Sequence, residues 1–364
     1  MEPVTHFLTG ACLARTGLNR RSAYATLTMV LAAEAPDLDT LWSIRGPIAN
    51  FTHHRGYTHT VLGLPVDAAV VLGAVWLWHR WRTRHHRDPN LAPPGTPEER
   101  HERKRHILPI RWGELYLFAL LALMSHLLLD WTNNYGLRPF FPFNPRWYAG
   151  SFVFIVEPVM LALLILGLVA PPLFGLIGSE IGARREPFRG RGWASFALAG
   201  VVLLWCLRGY ERLHAEDLAR RADFGSADIQ RSTVSPYPIN PFRWHGVVET
   251  LNFYQLSTVD SLSGQVATNE QNDLIYKPAE TRATLAAKKS PLGRAYLDWS
   301  PFPLVTENSL STPEGFTVVT FRDLRFLYDT LGMHGREESP LAGQVTVNQA
   351  DEVIRMALNG HPGQ

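Results

Sequence analysis

Residues 115–130 read LYLFALLALMSHLLLD, an apolar run with two ionisable side chains near its C-terminal end. A helix that crosses the hydrocarbon core of a bilayer needs roughly 17–25 mostly apolar residues, and this run reaches that length with its flanks. His126 and Asp130 are four residues apart, so both project from one face of the helix. Ionisable groups at membrane depth are costly and tend to serve a function. The run therefore predicts a membrane span with a polar site at one end.

Three further apolar runs lie on either side of this one, at residues 61–78, 152–177 and 193–207. Together with the run at 115–129, they predict an α-helical polytopic membrane domain with about four spans. Two shorter helical segments precede them, at residues 4–16 and 22–35, with a Gly-Leu-Asn-Arg turn signal between them. We expect these segments to form an N-terminal helical hairpin that ends at Pro36.

The composition changes near residue 210, where long apolar runs give way to short alternating segments between turn residues. The segments at 244–253, 316–321 and 344–347 predict β-strands, and we expect a closing helix over residues 350–358. We therefore divide the chain into three parts. They are a helical membrane domain with the polar site (1–209), a charged juxtamembrane linker helix (210–232) and a small β-rich soluble domain (233–364).

Basic residues cluster between the apolar runs, at 20–21, 79–113 and 179–192. The positive-inside rule assigns these loops to the cytoplasmic side. The opposite ends of the same helices, with the polar site and the β-rich domain, are then expected on the extracytoplasmic face of a bacterial-type inner membrane. The net charge of +2 indicates no acidic partner, and we expect no nucleic-acid ligand. The two cysteines, Cys12 and Cys206, lie in apolar segments and predict buried thiols.

Several polar motifs fall at the non-basic ends of these helices. The first is the His126/Asp130 pair, whose imidazole and carboxylate suit a zinc-like or manganese-like ion. The second is HHRGYTH at residues 53–59, where Gly56 permits a bend that turns His54 and His59 inward. Arg55 in this motif presents a planar fork suited to phosphate or carboxylate. A basic loop that binds lipid headgroups is the alternative interpretation of this motif.

Three weaker candidates accompany these motifs. Asp37 and Asp39 follow Pro36 with a spacing that lets them bind or bridge metal ions from a turn. An acidic turn without a ligand is the common alternative. His6 lies at the same end of the predicted hairpin as Asp37. Glu157 precedes Pro158 in the outer part of the third apolar run, where a further ligand and a general base are both open interpretations.

In their order along the chain these motifs resemble a known family. Thr5-His6 with Gly10, PDLD at 36–39, HRGYTH at 54–59 and HLLLD at 126–130 occur as they do in YdjM-like membrane-bound metal-dependent hydrolases, over roughly residues 1–180. A more distant likeness links the pattern to zinc-dependent phospholipases C. The resemblance implies a helical inner-membrane protein and the metal ligands His6, Asp37, His54 or His59, His126 and Asp130. It gives Asp39 the role of a ligand or of a partner to one.

These expectations combine into a metal-dependent hydrolase of a phosphoester or a lipid-linked substrate, with membrane lipid as the natural partner. The divalent ion is expected to be zinc, with manganese as the alternative. Asp37, Asp39 or Glu157 would accept a proton, and Arg55 would hold an anionic group of the substrate. The rivals are a membrane scaffold with a structural metal site, and a metal transporter or sensor. The partner of the β-rich domain stays open.

Overall fold

A computed structural model describes residues 1–85, 108–180, 190–222, 228–269, 273–308, 315–328 and 339–363. The chain folds into two compact units. The first comprises Met1–Leu38, Arg55–Ala149 and Ile155–Cys206, and the second Asp39–His54, Gly150–Phe154 and Leu207–Gln364. Part of the basic clusters on which the orientation prediction depends lies outside the described residues, namely Arg87, Arg100, Arg103, Lys104, Arg105, Arg184, Arg185 and Arg189.

The predicted hairpin is present at the N-terminus. Helix α1 (Pro3–Arg15) packs along helix α2 (Ala25–Glu34). The chain reverses between them at Gly17, whose φ of 130° is accessible to glycine and to few other residues. After α2 the chain does not simply turn at Pro36, because a 3₁₀ helix continues over Ala35–Arg45. Asp37 and Asp39 therefore lie on a tight helix rather than on the expected loop.

The long apolar runs form helices α4 (Leu64–His85), α5 (Trp112–Thr132), α6 (Pro158–Glu180) and α7 (Arg191–Arg221), and the short helix α3 (Pro47–His53) precedes α4. Among the described helices, α5 and α7 are long and apolar enough to cross a membrane. A third span results if α3 and α4 form one broken span. The predicted count of four spans is thus not confirmed. Arginines fill the end of α4, and Pro158–Phe174, the part of α6 whose side chains the structure describes, is a shorter apolar helix.

The core of the first unit lies between α1, α2, α4 and α5. Ala14, Met29, Ala68, Leu115 and Ala119 are among its fully buried side chains. Helices α1 and α2 approach closely at Gly10, where a Cβ atom would lie 2.8 Å from the carbonyl oxygen of Met29. Helix α1 also contacts α6, because Arg15 donates a hydrogen bond of 2.9 Å to the carbonyl oxygen of Leu168. Small residues therefore allow the helices that carry the polar motifs to pack tightly.

The second unit contains two five-stranded antiparallel sheets, which confirms the predicted β-rich C-terminal domain. The first sheet has the order β1-β2-β3-β4, with β5 also paired to β3, and the second has the order β10-β9-β8-β7-β6. The strands are β1 (Arg231–Pro236), β2 (Arg243–Glu249), β3 (Phe253–Asp260), β4 (Gln265–Ala267), β5 (Leu274–Tyr276), β6 (Pro303–Asn308), β7 (Phe316–Asp323), β8 (Gly343–Asn348), β9 (Val353–Leu358) and β10 (His361–Pro362). Helices α8 (Arg282–Lys289) and α9 (Pro291–Trp299) pack against the second sheet.

The closing helix predicted over residues 350–358 is wrong. Asp351 adopts a φ of 61° in a turn after β8, and the chain then returns as strand β9. This strand pairs with β8 in the register Gln344↔Ala357 and Val345↔Met356. Pairing with a neighbouring strand therefore outweighs the helical propensity of this Met- and Leu-containing segment.

A segment between two of the polar motifs belongs to the second unit. Residues Asp39–His54 form the end of the 3₁₀ helix and α3. Phe51 of α3 is buried, with its ring 5.8 Å from that of Tyr296 and 5.4 Å from that of Trp299. The second unit is thus built from more of the chain than the C-terminal residues alone.

Candidate metal centre

Four side chains from three separate stretches of the first unit meet at one point: Asp37, His59, His126 and Asp130. Asp37 lies just past α2 and His59 just before α4, while His126 and Asp130 lie in the last turns of α5. The i, i+4 spacing predicted on α5 therefore does place both side chains on one helical face. His59, His126 and Asp130 are completely buried, and Asp37 is partly buried, with 15% of its side chain exposed.

The atoms of these four side chains face each other across short distances. The Nε2 atoms of His59 and His126 are 3.2 Å apart, and each lies 3.4 Å from Asp130 Oδ2. Asp37 Oδ1 is 3.4 Å from His59 Nε2 and 3.7 Å from His126 Nε2. Two imidazole nitrogens and two carboxylate oxygens thus surround a common centre.

This arrangement fits a divalent cation. Zinc–ligand bonds of about 2.0–2.1 Å at tetrahedral angles place ligand atoms roughly 3.3–3.4 Å apart, close to the distances found here. Asp130 Oδ2 is buried without a hydrogen-bond partner among the described residues. A buried carboxylate oxygen without a hydrogen bond is costly, and a cation would satisfy it. Nitrogen and oxygen ligands suit zinc and manganese alike.

His6 extends the cluster on one side. Its ring stacks on His126 with centroids 3.8 Å apart, and its Nε2 atom lies 3.5 Å from Asp130 Oδ1. Both ring nitrogens are buried without a hydrogen-bond partner among the described residues. Burial, together with the neighbouring His126, lowers the pKa of His6 to about 3. The ring is therefore neutral near pH 7, the form that binds metals.

Two carboxylates beside the hairpin have shifted pKa values. Burial opposes the ionisation of Asp37, but the hydrogen bond from His59 and the neighbouring His126 and His6 together outweigh it and hold the pKa of Asp37 below its usual range. The carboxyl group of Asp37 is therefore ionised near pH 7, as a ligand of a cation must be. Glu34 shows the opposite behaviour, because burial and the nearby charge of Asp37 raise its pKa to about 7.

Neighbouring groups orient the two ligand imidazoles. His126 Nδ1 lies 2.7 Å from the carbonyl oxygen of Ala33, and His59 Nδ1 lies 3.0 Å from the hydroxyl of Thr58. Such partners fix the ring orientation of metal-binding histidines. Thr58 lies within the HRGYTH motif and could have been singled out from the sequence. The role of the Ala33 carbonyl could not be predicted from the sequence, because every residue carries a backbone carbonyl group.

Arg55 is buried beside the cluster. One terminal nitrogen, Nη2, lies 2.7 Å from Asp130 Oδ1, and the other, Nη1, donates a hydrogen bond of 2.6 Å to the carbonyl oxygen of Gly136. The guanidinium group stands over the ring of Tyr135 at 4.6 Å. The α-amino group of Met1 also contacts Asp130 Oδ1. The predicted role of Arg55 as a substrate clamp stays a prediction.

The other predicted site residues are not members of the group of four. His54 Nδ1 is 2.8 Å from Asp39 Oδ1, and both residues belong to the second unit. Glu157 is completely buried directly before α6, in the first unit. None of the three is in the group of four described above. The roles of His54 as a ligand, and of Asp39 and Glu157 as proton acceptors, stay predictions.

Comparison with known proteins supports the likeness of the polar motifs to a family. Residues 1–215, more than half of the chain, match the family described as YdjM inner membrane protein. The chain belongs to the YdjM family. It is also 22% identical over 166 residues to the uncharacterized protein YfhP of Bacillus subtilis (strain 168). That alignment covers 43% of this chain and 42% of YfhP, so the chain spans less than half the length of this relative.

No solved structure shows a significant match. Membership in the YdjM family and the apolar helices together indicate a membrane protein, and the four-residue cluster marks the place where this YdjM protein can hold a metal ion. The family match ends within α7, before the first strand, so it does not include the sheets of the second unit.

Proposed function

We propose that this protein is a membrane-bound metal-dependent hydrolase that acts on a phosphoester or lipid-linked substrate at the membrane face. The observation that carries the proposal is the convergence of two imidazole nitrogens and two carboxylate oxygens at distances of 3.2–3.7 Å. His59, His126, Asp37 and Asp130 would hold the cation, and His6 is the next nearest ligand. Zinc is the expected ion, with manganese as the alternative.

A divalent ion held there would act as a Lewis acid and lower the pKa of a bound water toward neutrality. The protein must then supply a group that accepts a proton. Asp39 and Glu157 are the carboxylates that we assign to this step, since Asp37 and Asp130 are committed to the cation. A proton accepted by Asp39 would pass to His54, whose Nδ1 lies 2.8 Å from Asp39 Oδ1 and whose side chain is partly exposed.

The position of the cluster along the chain supports the choice of substrate class. His126 and Asp130 lie in the last turns of α5, a helix long and apolar enough to cross a membrane. The segment that follows α5 is aromatic and carries Arg138, whose guanidinium stands over Phe141 and Trp147. Arginine and aromatic side chains are typical of the membrane–water interface. A headgroup or a lipid-linked phosphate would reach a site at this depth.

A structural metal site in a membrane scaffold is the second candidate, and one observation favours it. Structural zinc sites have four protein ligands, whereas catalytic sites have three and leave one position for water. The cluster offers four side chains before His6 is counted. A catalytic site here requires one of the four to leave the cation, or the cation to accept a fifth ligand.

The test is metal content and turnover of the full chain purified in detergent. We expect near-stoichiometric zinc or manganese in the wild type, loss of most of it in His126→Ala and Asp130→Asn, and retention in the control His79→Ala. His79 is a partly buried histidine that contacts Tyr24 instead of the cluster. Metal-dependent hydrolysis of a short-chain phospholipid or of bis(p-nitrophenyl) phosphate would support the hydrolase. Bound metal without turnover favours the scaffold, and a wild type that binds no metal refutes both.

A further inference from the structure

Arg55 has an unusual backbone conformation. Its φ of 57° lies in the left-handed region, which residues other than glycine seldom adopt. The glycine of the motif, Gly56, comes one position later and has a φ of −83°. Strained residues of this kind persist only where the surroundings fix them, and they cluster at functional sites. We therefore expect contacts of the Arg55 side chain that stabilise this backbone conformation.

The side chain makes such contacts with the end of α5. Only 4% of Arg55 is exposed, and its two terminal nitrogens contact Asp130 and the backbone of Gly136, as described above. The ring of Tyr135 covers the guanidinium plane. Arg55 thus connects the segment that carries His59 to the helix end that carries His126 and Asp130. A planar, permanently charged fork is the group best suited to connect two acceptors.

The two oxygens of Asp130 have different surroundings. Oδ1 contacts the cations, namely Arg55 Nη2 and the α-amino group of Met1. Oδ2 faces the Nε2 atoms of His59 and His126 at 3.4 Å and makes no hydrogen bond among the described residues. The guanidinium and the α-amino group of Met1 together hold Oδ1, so Oδ2 is the oxygen that faces the two imidazoles.

We infer that Arg55 is a positioning residue that makes Asp130 a one-oxygen ligand of the metal. It acts through Asp130 by occupying Oδ1, and it keeps the carboxylate from turning both oxygens toward the cation. This inference rests on the proposed metal site. It differs from the predicted role as a substrate clamp, in which the guanidinium would hold an anionic group of the substrate.

The test uses the full chain in detergent, with Zn²⁺ and Co²⁺ as the probes. We expect Arg55→Gln to bind zinc about 10–100-fold more weakly than the wild type, the usual effect of losing a partner of a metal ligand. Arg55→Lys keeps the charge but cannot reach two acceptors with a planar fork, so we expect a smaller loss. The matched control is Arg138→Gln, which removes another buried arginine, one that stands over Phe141 and Trp147. Its zinc affinity should equal that of the wild type.

The visible absorption of bound Co²⁺ separates positioning from a general loss of structure. Without Arg55, Oδ1 keeps only the contact with the α-amino group of Met1 among its cationic partners. The carboxylate can then turn both oxygens toward the cation, and a higher coordination number weakens the d–d bands of cobalt. We expect weaker bands in Arg55→Gln and Arg55→Lys and unchanged bands in Arg138→Gln. If Arg55→Gln does not fold, the zinc affinity and the cobalt spectrum of Arg55→Lys alone test the inference.

Two results contradict the inference in different ways. Wild-type zinc affinity and an unchanged cobalt spectrum in the Arg55 variants, with a raised KM for an anionic phosphodiester, would show that Arg55 is a substrate clamp. Wild-type affinity and spectrum without a change in KM would leave Arg55 with no role at the metal. If the wild-type protein binds neither Zn²⁺ nor Co²⁺, the proposed metal site itself is wrong. This result differs from the two results above, in which the wild type binds both ions.

Discussion

His126 Nδ1 lies 2.7 Å from the backbone carbonyl oxygen of Ala33. A carbonyl oxygen only accepts hydrogen bonds, so Nδ1 carries the proton and donates it. The other nitrogen, Nε2, then keeps its lone pair and faces His59 and Asp130. Helix α2 thereby selects the tautomer in which His126 can bind a metal, although α2 itself carries no ligand in the group of four. The position of α2, which packs against α1, consequently influences the metal centre.

The close approach of these two helices gives the first prediction. A Cβ atom at Gly10 would lie 2.8 Å from Met29 O and 2.9 Å from the Cβ of Ala33. Gly10→Ala should therefore push α2 away, with a cost of about 1–3 kcal/mol from overpacking, and should weaken zinc binding because the Ala33 carbonyl moves. The measurement is thermal unfolding in detergent together with zinc titration.

Gly73→Ala is the matched control for this substitution. Gly73 lies on α4, and a Cβ atom there would meet nothing within 4 Å. Alanine has a helix propensity about 1 kcal/mol better than that of glycine, so this variant should be as stable as the wild type or more stable. If Gly10→Ala is as stable as Gly73→Ala, the close packing of α1 on α2 does not contribute to the site.

The second prediction separates the histidines of the HRGYTH motif. His59 lies in the group of four, whereas His54 pairs with Asp39 at 2.8 Å. We expect His59→Ala to lose most of the bound zinc and His54→Ala to retain the wild-type content. If His54 only carries a proton, its variant should lose turnover and keep its metal. Loss of metal in His54→Ala with retention in His59→Ala would exchange the two roles.

The third prediction concerns pH and uses metal-free protein in EDTA. Burial and the charge of Asp37 raise the pKa of Glu34 from 4.5 to about 7. The folded state therefore binds this proton more tightly than the unfolded state. The resulting stability is present below about pH 4.5 and is lost as the pH rises through about 7. Glu34→Gln stays neutral, so it should be more stable than the wild type at pH 8, with a smaller difference at pH 5.

The measurement for Glu34 is the melting temperature of wild type and variant at both pH values. Asp228→Asn is the control because it removes an exposed carboxylate. We expect the difference in melting temperature between this variant and the wild type to be the same at pH 5 and pH 8. A Glu34→Gln variant whose melting temperature follows that of the wild type at every pH would show that Glu34 ionises normally in the folded protein.

Local patterns in the sequence predicted the helices well. The hairpin, the span over α5 and the strands β7 and β8 depend on periodicity and on turn residues close by in the chain. The segment over β9 was predicted as a helix because its residues favour helices, and the register Gln344↔Ala357 overrides that preference. Pairing partners of this kind become visible only once the neighbouring strand is in place.

The site was predictable to a similar extent. The spacing of His126 and Asp130, the HRGYTH motif and the PDLD turn at 36–39 together named all four residues of the group among the candidates. The sequence could not choose between His54 and His59, because the choice depends on the left-handed turn at Arg55 and on the hydrogen bond between His54 and Asp39. It also gave no sign that residues 39–54 belong to the second unit, since the contacts of Phe51 join parts of the chain far apart in sequence.

The fourth prediction tests the place of that segment in the fold. Phe51 is 6% exposed and packs on the rings of Tyr296 and Trp299 in α9. Truncation of a buried phenylalanine costs about 3–5 kcal/mol, so Phe51→Ala should destabilise the second unit by that amount. Ile44→Ala is the control from the same segment, because Ile44 is 80% exposed and its truncation should change stability by less than about 0.5 kcal/mol.

Hydrogen exchange of peptides from α9 is the measurement that reports on this unit specifically. We expect faster exchange in Phe51→Ala than in the wild type and in Ile44→Ala. Equal exchange in all three proteins would mean that α3 does not contribute to the core around α9, and that the second unit is stable without the segment between Asp37 and Arg55.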